Sequence, residues 1–183
     1  MSYASPIQDL LREDRLPALG PGSPAAVFLA ALNQPIEQLF EPAKIVDRTA
    51  AVACRAGLLL YFDFVDEAHT ISQDIDTAEG SYWHGIVHRR EPDYSNAKYW
   101  FRRVGRHPVF DALRESAAAL TSVAGSPPEA AFLVGQQSWD PFAFIDLCEA
   151  ACQGKADEML CRKIQRREWD LLFDYCYRRA MGK

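Results

Sequence analysis

His84 and His88 stand four residues apart in the stretch Ser81-Tyr82-Trp83-His84-Gly85-Ile86-Val87-His88. On a helix this spacing stacks two imidazoles on one face, the arrangement that a two-histidine metal site uses. The intervening residues are Gly85, Ile86 and Val87, so the pair lacks the built-in glutamate base of a His-Glu-x-x-His metallopeptidase. Asp63 and Glu67 are also four apart, which stacks two carboxylates one turn apart on the preceding helical stretch. A hairpin turning near Asp76 sets His84 level with Ala68 or Glu67, and His88 level with Phe64 or Asp63. Two carboxylates then face two imidazoles. That cluster can hold a divalent metal through Asp63, Glu67, His84 and His88 with a position left open. It can equally do acid–base chemistry, with Glu67, His84 and His88 handling the proton. The third reading is a buried network whose members satisfy one another.

A second chemistry lies in the same stretch. Tyr82, Trp83, Tyr94, Tyr99, Trp100 and Phe101 interleave with Arg89, Arg90, Lys98, Arg102 and Arg103. Aromatic faces and guanidinium forks together recognise a small anionic or sugar-like ligand, or a protein partner. Trp83, Arg89, Arg90 and Asn96 are the expected contacts, with Trp100 expected in the core. A second hairpin turning at Pro92 brings Trp100 toward His84 and Asn96 toward His88. Neither a Gly-x-Ser-x-Gly elbow nor a phosphate loop is present. Gly20-Pro21-Gly22-Ser23-Pro24 lacks the lysine, and its prolines lack the N–H donors, that a phosphate loop requires.

These residues need helices to position them, and helix starts are legible along the chain. Ser5-Pro6, Ser23-Pro24, Ser126-Pro127 and Asp140-Pro141 each place a side-chain acceptor before a proline that suits the first helical turn. The punctuation predicts helices over 6–14, 24–32, 35–40, 47–72, 77–90, 94–104, 108–120, 127–137, 141–152 and 156–180. Asp76 is the expected cap of the fifth of these and Asp93 of the sixth. Glu91 is expected outside helical geometry because Pro92 follows it. No segment has the alternation of a strand.

The stretch 81–110, reading S-Y-W-H-G-I-V-H-R-R-E-P-D-Y-S-N-A-K-Y-W-F-R-R-V-G-R-H-P-V-F, resembles one unit of the Sel-one-like subclass of tetratricopeptide-type repeats. Gly85, Asp93, Tyr94, Ala97 and Trp100 occupy the places that subclass gives to a small residue, an Asp-aromatic helix start and an inner face of Ala and aromatic. The resemblance implies a helical hairpin. No second copy is readable, whereas a repeat array needs about three units to bury a continuous core. The whole chain also looks similar to a family of uncharacterised bacterial and fungal proteins that share Trp-His-Gly and Asn-Ala-Lys-Tyr-Trp-Phe-Arg-Arg, and that likeness implies no activity.

The chain has 183 residues and 49% hydrophobic content, enough for one packed core and short for two. We therefore expect an all-α, single-domain bundle of short helices with one tetratricopeptide-like hairpin. A wrapping segment at 1–46 precedes the central helix and hairpin at 47–104 and the C-terminal helices at 105–183. The net charge of -5 disfavours nucleic acid as a partner. The longest apolar run, 50–62, is interrupted by Arg55 and falls short of the ~20 residues that span a bilayer. Five cysteines within helical stretches, and a first segment unlike a signal peptide, give a cytoplasmic expectation. For function the expectation is a non-catalytic ligand- or protein-binding helical module using the 81–106 hairpin. It stands ahead of a small metal-dependent or His/carboxylate acid–base enzyme at Asp63, Glu67, His84 and His88, and a divalent metal is the one cofactor in view.

Overall fold

The computed structural model describes residues 3–183. They form eleven α-helices and no strand, so the expected all-α class holds. In chain order the helices are α1 (Ser5–Leu10), α2 (Leu29–Leu32), α3 (Ile36–Phe40), α4 (Arg48–Tyr61), α5 (Val65–Ser72), α6 (Ala78–Arg90), α7 (Tyr94–Val104), α8 (Phe110–Val123), α9 (Phe132–Gly135), α10 (Pro141–Cys152) and α11 (Glu158–Ala180). Side-chain caps start five of them. Asp47, Thr77, Asp93, Asp140 and Asp157 accept from the backbone N–H of Ala50, Gly80, Asn96, Phe142 and Leu160 respectively, each satisfying a donor that the first turn leaves over. Thr77, rather than Asp76, is thus the cap of α6. Its hydroxyl reaches Gly80 N at 3.2 Å, while Asp76 is exposed.

Helix α4 is the centre of the core, with ten of its residues buried between Ala50 and Tyr61. Gly57 lets Trp83 of α6 lie against its backbone: a Cβ there would stand 2.8 Å from Trp83 Cζ2. Trp169 of α11 donates its indole N–H to Gly57 O at 2.7 Å, so a buried indole is satisfied by the same open face. A second cluster of buried side chains, including Leu113, Leu133, Phe144, Leu160 and Ile164, joins α8, α9, α10 and the first half of α11. Phe110 and Leu171 pack against both clusters, which makes the two parts one domain.

The continuous helix expected over 47–72 is broken. Helix α4 ends at Tyr61, Asp63 takes φ 65°, and α5 starts afresh at Val65. An aspartate enters the left-handed region more readily than most residues. This one is held there by two arginines, Arg90 Nη2 at 2.5 Å from its Oδ1 and Arg15 Nη2 at 3.3 Å from its Oδ2. Other expected helices are shorter or divided: 6–14 becomes Ser5–Leu10, and 24–32 becomes a 3-10 turn at Ala26–Phe28 followed by α2. The 127–137 segment likewise divides into a 3-10 turn at Pro128–Ala130 and α9.

The chain from 13 to 25 lies across α4, α6 and α11. Arg90 donates to Gly20 O at 3.0 Å, Pro21 O at 3.2 Å and Leu60 O at 2.7 Å, and Gln165 donates to Ala18 O at 3.0 Å. Buried arginine thus does here what secondary structure does elsewhere, supplying donors to carbonyls with no helical partner. No described helix is long and apolar enough to cross a membrane.

Candidate metal centre

Helices α5 and α6 form an antiparallel pair, and α6 turns at Pro92 into α7. The close fit of α6 on α7 depends on Gly85, where a Cβ would sit 2.8 Å from two ring carbons of Phe101. That contact fixes the height at which the polar faces meet. His69 from α5 meets His84 and His88 from α6, and one ligand atom from each of the three lies within 4.8 Å of the other two. His84 is 3% and His88 6% exposed, while the His69 side chain keeps 30% of its surface. The site is therefore open on one side.

A single carboxylate organises the ring. Glu91, at the carboxyl end of α6, accepts from His69 Nδ1 at 2.8 Å, and its second oxygen lies 3.2 Å from His88 Nδ1. With both Nδ1 atoms protonated toward Glu91, the two Nε2 atoms carry lone pairs. His88 Nε2 accepts from Asn96 Nδ2 at 3.1 Å. His69 Nε2 faces His84 Nε2 at 3.1 Å, so the proton between them belongs to His84, leaving His84 Nδ1 bare. That atom is buried and has no hydrogen-bond partner. Trp100 of α7 stacks on His84 with ring centroids 4.0 Å apart.

Electrostatics keep His84 and His88 neutral. Burial, followed by the neighbouring His88 and His69, pushes the His84 pKa down to about 3. Burial also lowers His88, against the opposing pull of Glu91. Neutral imidazoles with fixed tautomers are the form in which histidine ligates metal. Two nitrogens sharing a tetrahedral zinc at ~2.0–2.1 Å stand roughly 3.3 Å apart, and the His69–His84 pair is already within a few tenths of an ångström of that spacing.

No family model, no curated protein and no solved structure matches the chain. The site is therefore read from its own geometry.

Several expected members of the site stand elsewhere. Asp63 is committed to Arg90 and Arg15 at the α4–α5 break. Glu67 is exposed and has no ion-pair or hydrogen-bond partner among the described residues. Restarting the helix at Val65 sets a new phase, and two residues on a helix differ by about 200°, so His69 turns inward while Glu67 turns out. Arg89 and Arg90, expected to contact a ligand, are each 1% exposed. Arg89 is locked to Glu168 and Gln165 of α11, and Arg90 to Asp63 and three carbonyls. Trp83 is wholly buried against Gly57 and Trp169. Trp100, expected in the core, is half-buried and forms a wall of the histidine cluster. Asn96 reaches His88 and Trp100 reaches His84, as the turn at Pro92 implies.

Sequence reasoning missed His69 and Glu91. The signal for His69 was available: the chain has four histidines, and the antiparallel register that placed Ala68 beside His84 needed a shift of only one residue. Glu91 is expected outside helical geometry because Pro92 follows it, and that helix end is what frees its side chain to fold back along the imidazoles.

Proposed function

We propose that this chain is a metal-binding helical protein whose His69, His84 and His88 hold one divalent transition-metal ion of the zinc class, with Glu91 positioning two of the three rings. The observation that carries the reading is the convergence of three imidazole nitrogens from two helices within 4.8 Å. An all-imidazole set suits zinc, copper, nickel or iron and discriminates against calcium and magnesium, which want oxygen. Glu91 supports the reading because ligating histidines characteristically donate their other N–H to a carboxylate that orients the ring. An ion takes the His88 Nε2 lone pair in place of the Asn96 amide, and at His84 Nε2 it displaces the proton to Nδ1 of the same ring, the atom that has no partner.

The low pKa of His84 favours metal over acid–base chemistry. A base with pKa about 3 is too weak to take protons near neutrality, whereas its lone pair is available to a metal at every ordinary pH. The exposed edges of His69 and Glu91 leave one side for water or for an oxygen of a small anionic or sugar-like ligand, as in open rather than closed zinc sites. The 81–106 hairpin then acts as a binding module through its metal. We read that hairpin as a single tetratricopeptide-type unit, supported by Gly85 beneath Phe101 and by the Asp93 cap. Five free thiols, four of them buried, support a reducing, cytoplasmic setting.

The test is calorimetric titration of chelator-stripped protein with zinc. One ion per chain is expected, with binding abolished in His69→Ala and in His84→Ala while the helical circular dichroism of the half-exposed His69 variant is retained. Native protein that takes up zinc no better than these variants would overturn the reading.

A further inference from the structure

A cleft with a volume of about 820 Å³ opens where the carboxyl end of α7 meets the amino ends of α8 and α10. That volume lies within the range of small-molecule pockets. Its walls include Phe101, Phe110, Trp139 and Phe142, and two arginines, Arg102 and Arg106, line it as well. Both arginines are exposed, and neither has a carboxylate partner among the described residues. Arg102 lies over the Phe142 ring with its guanidinium carbon 5.8 Å from the centroid, so it is held as a flat donor surface. Trp139 is 5% exposed, and its indole Nε1 is buried without an acceptor. A buried N–H without a partner is uncommon in native proteins.

Two carboxylates also line the cleft, Asp111 and Asp140. Asp140 is spoken for: one of its oxygens accepts from Phe142 N at 2.9 Å and Ala143 N at 3.1 Å. Asp111 is exposed in the first turn of α8. His107, also in the wall, is neutral, since burial pulls its pKa to about 4 against the Glu79 carboxylate. Two arginines against two aspartates leave the lining without net charge. That balance disfavours a polyanion, whose binding depends on many uncompensated cations, and fits a ligand with one acid group.

We propose that this cleft binds a small planar aromatic anion, its ring against Phe110, Trp139 and Phe142 and its acid group between Arg102 and Arg106. Aromatic walls supply most of the buried area, and the two guanidinium groups select for a carboxylate, sulfonate or phosphate by charge-assisted, planar hydrogen bonding. The site shares no residue with the histidine cluster, and the inference stands independently of the metal reading.

Fluorescence titration of the full chain with 1-anilinonaphthalene-8-sulfonate, read by its own emission and by tryptophan quenching, tests it. N-phenyl-1-naphthylamine, the same ring system without the acid, is the neutral control. The sulfonate is expected to bind at one site per chain, and chelation of metal is expected to leave its affinity unchanged. Arg106→Gln and Arg102→Gln should each weaken it about tenfold, the effect of removing one charge-assisted contact. Neither substitution should change the affinity of the neutral probe. Phe142→Ala should weaken both probes. Equal sulfonate affinity in the arginine variants and the native chain, or equal losses of both probes in those variants, would overturn the proposal.

Discussion

The Glu91 carboxylate lies 2.8 Å from Nδ1 of His69, a contact made possible because Glu91 is the residue at which α6 stops. One turn earlier, His88 presents its own Nδ1 to the other oxygen of the same carboxylate at 3.2 Å. Two rings on two helices are thereby held in the same tautomer by one side chain.

Replacing Glu91 by Gln keeps the shape and removes the charge and one acceptor. Zinc affinity should fall about 10–100-fold, the usual effect of losing a partner behind the ligands. Glu67→Gln, on the exposed face of α5, should leave it unchanged. Titration calorimetry on both variants checks the pair, and equal effects from the two would remove Glu91 from the site.

Histidines with depressed pKa values make stability depend on pH. His84, at about 3, and His107, at about 4, stay neutral in the folded chain, whereas in the unfolded chain they charge near pH 6.5. Below pH 6.5 the unfolded state therefore binds more protons, so stability rises with pH and is lost as pH falls from 6.5 toward 3–4. Melting temperatures measured in chelator across this window should drop steadily. The slope should be shallower in His84→Gln, which removes one of the responsible groups.

Arg89 and Glu168 form an ion pair with side chains 1% and 0% exposed. Glu168→Ala strands a buried guanidinium and should cost about 3–5 kcal/mol by urea unfolding. The joint replacement Arg89→Met with Glu168→Leu should cost much less, because it removes both charges. A loss under ~1 kcal/mol in Glu168→Ala would mean that water reaches Arg89.

Gly85 couples the hairpin to the site. In Gly85→Ala the added methyl meets Phe101 at 2.8 Å and must push α7 away from α6, costing about 1–3 kcal/mol. Because Trp100 and Asn96 ride on α7, the same substitution should loosen the His84 and His88 rings and weaken zinc binding in parallel. Loss of stability with unchanged affinity would show that α7 does not hold the rings.

What the sequence determined by itself was local. Caps at Asp47, Asp93, Asp140 and the prolines that follow helix starts act within a turn or two of chain, so the all-α class and most helix starts were legible. The four-residue spacing of His84 and His88, and their register with Trp100 and Asn96 across a short turn at Pro92, were legible for the same reason. The tertiary structure alone decided the break at Asp63, since the arginines that capture its carboxylate come from residues 15 and 90. That break reset the phase of α5, exchanging Glu67 for His69 as the residue that faces α6. It also decided that Arg89 and Arg90 are buried: their partners, Glu168 and the 20–21 carbonyls, lie some 70 to 80 residues away in sequence. A side chain's helix and spacing follow from its neighbours in the chain, but the face it shows depends on contacts whose free energy is gained only when distant segments pack.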